Sequence, residues 1–232
     1  MKIAILVYGM YREFDIAVKS WQFLNSTDND VYFSTWDRSI QRNKRLDITV
    51  DEAITQDRIL KHIPTATINI ESDTLPLSNP QKMIYHWKQC LRMMKESGKK
   101  YDLVMLTRPD SFKVIQDLNS IYKCNTPGVL YGLEEIEYTE SGPFVQDVFF
   151  VGDIKTLTHL VETIPSDIQS IHNGLADHIV SLGYTVQKVE GVYVSTVRAN
   201  SRSLPDSELT LSNIFAKTVE WGNNQEQYLD FN

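Results

Sequence analysis

Apolar and polar positions alternate along this chain in blocks that switch period. Ile3-Ala4-Ile5-Leu6-Val7 is a continuous apolar run of strand length, and it ends at Tyr8-Gly9-Met10-Tyr11-Arg12. Phe14, Ala17, Val18, Trp21 and Leu24 then recur at three- and four-residue steps, which predicts a helix. Val31 to Trp36 is a second strand, closed by Asp37 and Arg38. Gln41 to Asp47 is charged and expected to be exposed, and Asp51 to His62 reads as a short helix stopped before Pro64. Ala66 to Ile70 is a third strand. The clearest helix follows: Ser78 or Asn79 caps it, and Pro80 suits its first turn. Met83, Ile84, Trp87, Leu91 and Met94 form its apolar stripe, and Gly98 suits the position past its end. Leu103 to Leu106 is the next strand. Strands alternating with helices predict an α/β fold with a mostly parallel central sheet and helices on both faces.

The second half changes character. Gly128 to Leu133 reads as a strand. Glu134, Glu135, Glu137 and Glu140 make an acidic loop closed by Gly142-Pro143. Val148 to Val151 is another strand, and Gly152-Asp153 turns into a helix running through Val161. A second helix spans about Ile171 to Leu182, and Tyr184 to Val189 with Val192 to Val197 resemble a terminal pair of strands. From Asn200 the chain is polar and turn-rich, with one or two small helices or partial disorder expected.

The 232 residues suffice for one sizeable α/β core, and 42% hydrophobic with 23% charged residues is ordinary for a globular protein. A net charge of −7 argues against a mainly electrostatic nucleic-acid binder. Cys90 and Cys124 form no CxxC pair, so two reduced thiols in a cytoplasmic protein are expected. The opening apolar stretch is short for a signal peptide and reads better as a strand. No segment reaches bilayer-spanning length, and Asn25-Ser26-Thr27 is read as a chance sequon.

Motifs that would name a chemistry at once are missing: there is no GxGxxG, Walker loop, HExxH or GxSxG. The histidines do not cluster at ligand spacing, and His172 and His178 read as solvated or capping residues. The candidates lie instead at strand ends, where open α/β sheets bind ligands. Arg108 offers a bidentate grip on phosphate, and Asp110, fixed by the preceding Pro109, offers a hard oxygen ligand for a divalent cation. A loop salt bridge is their structural alternative. Gly9 lets a ligand approach the backbone, with Tyr8 beside it, and Arg12 could hold phosphate; a tight turn with a surface arginine is the alternative. Trp36 could stack on a base or wall a pocket, and Asp37 could take ribose hydroxyls, against a core tryptophan and a helix cap. Asp147 could bind a sugar hydroxyl, against a structural cap or ion pair. Asp177 lies on a helix whose exposed face is its simplest placement. Arg198 ends the last strand as a ligand contact or a structural ion pair.

These pieces in this order resemble bacterial and viral GT-A-fold glycosyltransferase-like proteins, above all small surface-polysaccharide and lipopolysaccharide enzymes. The likeness rests on Ile3–Gly9 followed by Arg12, on Asp30–Trp36, and on Tyr101–Val104 running into Thr107-Arg108-Pro109-Asp110. Asp147–Gly152, Gly183–Val186 and Val197-Arg198 complete it, so it covers roughly residues 1–200. It implies a single GT-A-like, Rossmann-related domain over 1–232, with a nucleotide-binding half (1–110), an acceptor-side half (111–200) and a polar tail (201–232). It further implies a hexosyltransferase that moves a sugar from a nucleotide-sugar donor, UDP-linked, to a glycan or glycolipid acceptor. Tyr8, Gly9, Arg12, Trp36, Asp37, Arg108, Asp110 and Arg198 would then bind the donor, and Asp147 or Asp177 would act as base. The family carries an Asp-any-Asp motif for Mn²⁺ or Mg²⁺ at this strand end. Here Arg108 takes the first acidic position, and an arginine cannot ligate a cation. The favoured expectation is that Asp110 still holds the metal with help from elsewhere; the alternative is that Arg108 itself neutralises the diphosphate. A nucleotidyltransferase, a non-catalytic binder and a purely structural protein are the competing readings.

Overall fold

A computed structural model describes residues 1–25, 28–43 and 48–196. In chain order the elements are β1 (Ile3–Tyr8), α1 (Phe14–Ala17), β2 (Asn29–Trp36), β3 (Arg38–Asn43), β4 (Ile48–Ala53), α2 (Gln56–Leu60) and β5 (Thr67–Glu71). Next come α3 (Asn79–Glu96), β6 (Leu103–Thr107), β7 (Ser111–Ile115), α4 (Leu118–Tyr122), β8 (Val129–Gly132), β9 (Glu137–Thr139) and β10 (Gly142–Phe144). The described chain closes with β11 (Phe149–Asp153), α5 (Ile154–Thr163), α6 (Ile171–Ser181), β12 (Thr185–Lys188) and β13 (Val192–Thr196). Arg198 and the expected tail over 201–232 lie outside the described residues.

Seven strands form the central sheet in the order β12-β8-β11-β6-β1-β2-β5. The pairs β1–β2, β1–β6, β2–β5 and β12–β8 are parallel, while β11 runs antiparallel to both β6 and β8. The fold is α/β with a mostly parallel sheet covered on both faces, as the apolar strands require. Alternate residues of β1 feed opposite cores. Ala4, Leu6 and Tyr8 join Ile84, Trp87, Leu91, Leu157, Leu160 and Ile179 from α3, α5 and α6. Ile3, Ile5 and Val7 join Phe14, Trp21, Ile59 and Ile121 on the opposite face.

The structure departs from the sequence expectations where partners distant in sequence decide. The helix expected over 14–24 breaks after α1 into 3-10 turns at Val18–Ser20 and Gln22–Asn25. Trp21 leaves helical geometry (ψ 58°), and its indole N–H donates to the Ser111 carbonyl at 2.8 Å. Within the helix expected over 51–62, residues up to Ala53 belong instead to a β3–β4 hairpin, and α2 starts only after its Thr55 cap. The acidic loop folds as the short β9–β10 hairpin. The expected terminal strand pair exists as strands but not as a pair. β12 joins the central sheet beside β8, and β13 pairs with β7, a strand the sequence pattern did not reveal. Both cysteines are free and buried.

Candidate functional site

A cleft of about 260 Å³ opens at the carboxyl ends of β1, β2 and β6. This is where a parallel sheet places its βα loops. Seven of the expected positions, Tyr8, Gly9, Arg12, Trp36, Arg108, Asp110 and Asp147, line it. The first turns of α3 (Asn79, Pro80, Lys82) and α6 (Ile171, His172) complete its wall. Two helix N-termini at one cleft favour negative charge there.

Asp110 organises the cationic side. It is 1% exposed. Its Oδ1 accepts from Arg108 Nε at 3.0 Å, and its Oδ2 accepts from Arg108 at 2.8 Å and from Arg12 at 2.6 Å. Burial pushes its pKa up, but the two guanidiniums outweigh burial and hold the carboxyl well below the usual range. Arg108 is in turn held firmly charged by Asp110. Arg12 reaches this carboxylate from a left-handed backbone conformation, φ 42°, with its N–H donating to Ser39 Oγ at 3.0 Å. Such a conformation costs a non-glycine residue roughly 1–2 kcal/mol, so the surroundings impose it. Gly9 has φ 103° and donates its N–H to the Ser34 carbonyl. Its missing Cβ would face open space, so the backbone is bare to the cleft.

Behind the Arg108-Pro109-Asp110 turn lies Lys113, fully buried. Its ammonium donates to the Arg108 carbonyl at 2.6 Å, the Ser111 hydroxyl at 2.6 Å and the Ser111 carbonyl at 3.1 Å. It also lies 3.8 Å from the Trp21 ring centroid. Burial drives its pKa well down; three oxygens and an indole face oppose that by meeting all three donors.

Asp147 faces the cations across the cleft, 3.7 Å from Arg108 and 3.8 Å from His172 Nδ1. Its backbone carbonyl accepts from the buried Tyr8 hydroxyl, which ties the end of β1 to the segment before β11. Burial, then the Asp147 carboxylate, raises the Tyr8 pKa, so the phenol stays a donor. His172 Nδ1 lies 3.0 Å from the Val145 carbonyl, which makes Nδ1 the protonated nitrogen. The ring stacks on Phe144 at 4.8 Å.

Trp36 walls the cleft and offers no open stacking face. It is 1% exposed, stacked on Tyr85 at 5.7 Å and edge-on to His86 at 4.3 Å. Two expected site residues stand elsewhere. Asp37 does not line the cleft; its carboxylate accepts the Asp73 N–H at 3.2 Å, because the chain turns away after Trp36 into β3. Asp177 is exposed on α6, since Leu175, Ala176 and Ile179 take the buried face. Lys82 and His172 were missed. Lys82 was within reach: a helix following a parallel strand starts at that strand's carboxyl end, so the first turn of α3 had to face the cleft. No spacing in the sequence marks His172.

The residues present do not fit a divalent cation. Both Asp110 oxygens are already engaged by guanidiniums. No group of three or more His, Cys, Asp or Glu side chains able to hold a metal occurs among the described residues.

No protein-family model matches the chain, and no curated protein matches it. Among solved structures it is similar to a nucleoside-diphosphate-sugar pyrophosphorylase from Vibrio cholerae. The identity is 9%, the match covers 82% of this chain and 94% of that one, and the TM-score is 0.41. No helix of the described residues is long and apolar enough to cross a membrane.

Proposed function

We propose that this cleft binds a nucleotide-sugar and transfers its sugar to a hydroxyl of a glycan or glycolipid acceptor. The observation that supports this reading is the pair of guanidiniums, Arg12 and Arg108, fixed on one buried carboxylate at the ends of β1 and β6. Sugar transfer breaks the bond between the anomeric carbon and the diphosphate oxygen, and the diphosphate departs with the electron pair. Oriented cations stabilise that charge where it develops, which is often the largest single contribution to such catalysis. The acceptor oxygen must lose its proton as it attacks. Asp147, beside this clamp and near His172, is the carboxylate to receive it. A base in this role belongs to inversion at the anomeric carbon.

Nucleotidyl transfer is the rival use of the same anion-binding cleft, and the released product separates the two. Purified protein is incubated with a panel of nucleotide-sugars and glycan acceptors, and separately with nucleoside triphosphates and sugar phosphates. Release of nucleoside diphosphate in the first set is expected. Pyrophosphate release in the second set would replace the reading with nucleotidyl transfer. Thermal stabilisation by nucleotide-sugars without turnover would mark a non-catalytic binder. A ligand at 100 times its Kd raises stability by about 2.7 kcal/mol, well within reach of a melting experiment.

A further inference from the structure

We infer that the cleft takes the diphosphate of a nucleotide as the free anion, without a bridging divalent cation, and that Asp110 is a positioning residue for the two arginines that grip it. The inference rests on the nucleotide-sugar reading above.

A carboxylate that holds a cation presents a lone pair to it at close range. Asp110 accepts three hydrogen bonds from Arg12 and Arg108, on both of its oxygens, and is 1% exposed. A cation placed on those oxygens would sit beside two guanidinium charges in a poorly screened pocket, where like charges repel strongly. Asp147, the other carboxylate of the cleft, is itself 3.7 Å from Arg108.

The arginines, by contrast, are placed as ligands for an anion. A guanidinium has five N–H donors, and the contact with Asp110 uses one of those on Arg12. The Arg12 side chain is 33% exposed and lines the cleft. The N-termini of α3 and α6 add positive potential to the cleft, while the Lys82 ammonium in its wall is paired with Asp73. The strained φ of Arg12 and the buried Lys113 behind the turn show a clamp held by its surroundings in one arrangement.

Calorimetric titration of the full chain with UDP, ADP, GDP and CDP tests this, in EDTA and again in excess Mn²⁺. At least one nucleotide should bind in EDTA, with an affinity that Mn²⁺ does not raise. Arg12→Gly suits the left-handed backbone and should fold normally, yet bind at least about tenfold more weakly in both buffers. Asp110→Asn should weaken binding in EDTA as well, because the arginines lose their anchor. Binding seen only with Mn²⁺ would overturn the inference and leave the nucleotide-sugar reading standing. Unchanged binding by Arg12→Gly would also overturn it. No binding of any nucleotide in either buffer would overturn both.

Discussion

At the scale of single residues the cleft is an arrangement of charges that would repel if any were misplaced. Arg12 and Arg108 share Asp110, and Lys113 is buried behind the same turn without a carboxylate of its own. Its charge is met by the Arg108 carbonyl, by Ser111 and by the Trp21 ring. Lys113→Met keeps most of the volume but leaves those acceptors without a donor. The expected loss is about 1–3 kcal/mol in urea unfolding, because unsatisfied buried polar groups cost that much. Weaker nucleotide binding should accompany it as the Arg108 turn loosens. A variant as stable as the parent would show that Lys113 holds nothing in place.

Among elements, the helix starts do most to place chemistry. The α3 entry follows local rules: Gln81 Oε1 accepts the Ser78 N–H at 2.8 Å, and Pro80 stands in the first turn. The cap therefore fixes Lys82 and Pro80 at the cleft. The α5 entry is of the same kind but serves the core. Asp153 Oδ1 accepts from the Lys155 and Thr156 N–H groups, while Leu157 and Leu160 are buried. Removing such a cap costs about 0.5–2 kcal/mol. Asp153 Oδ2 is buried without a partner among the described residues, which moves the expected loss toward the small end. Asp153→Ala should thus lower the urea midpoint modestly and leave nucleotide binding intact. A change in binding would show that α5 communicates with the cleft.

For the whole molecule the consequence is a dependence of stability on pH. His86 is fully buried between Trp36 and Ser34. Burial, then the Lys82 charge, lowers its pKa from 6.5 to about 3. The unfolded chain therefore takes up a proton first. This contribution is complete above pH 6.5 and is lost as pH falls toward 3, with a slope of up to about 1.4 kcal/mol per pH unit. His178, less buried, contributes in the same direction. Below pH 4 the depressed carboxyls of Asp110 and Asp30 add their own losses. Urea midpoints measured from pH 8 to pH 4.5 should fall for the parent. They should fall much less for His86→Gln; equal slopes would remove His86 as the source.

The central strands and α3 could be read along the chain because their signals are local. A continuous apolar run demands cover on both faces, and a capped amphipathic stripe demands one buried side. The same logic brought Arg108 and Asp110 to the cleft, since a strand's carboxyl end has few other places to go, but it expected a rim, whereas Asp110 is buried in an ion pair with Arg108. It could not say that Arg12, 98 positions away from Asp110, would reach the same carboxylate. Nor could it show that His172 would stand beside Asp147, or that Trp36 would be sealed between Tyr85 and His86. Pairing was equally hidden: β7 and β13 find each other across the fold, and the stretch from Phe14 to Leu24 gives up its helix for contacts with β7. Periodicity records what each segment must bury; which charges meet depends on the order in which strands associate, and only the closed chain carries that.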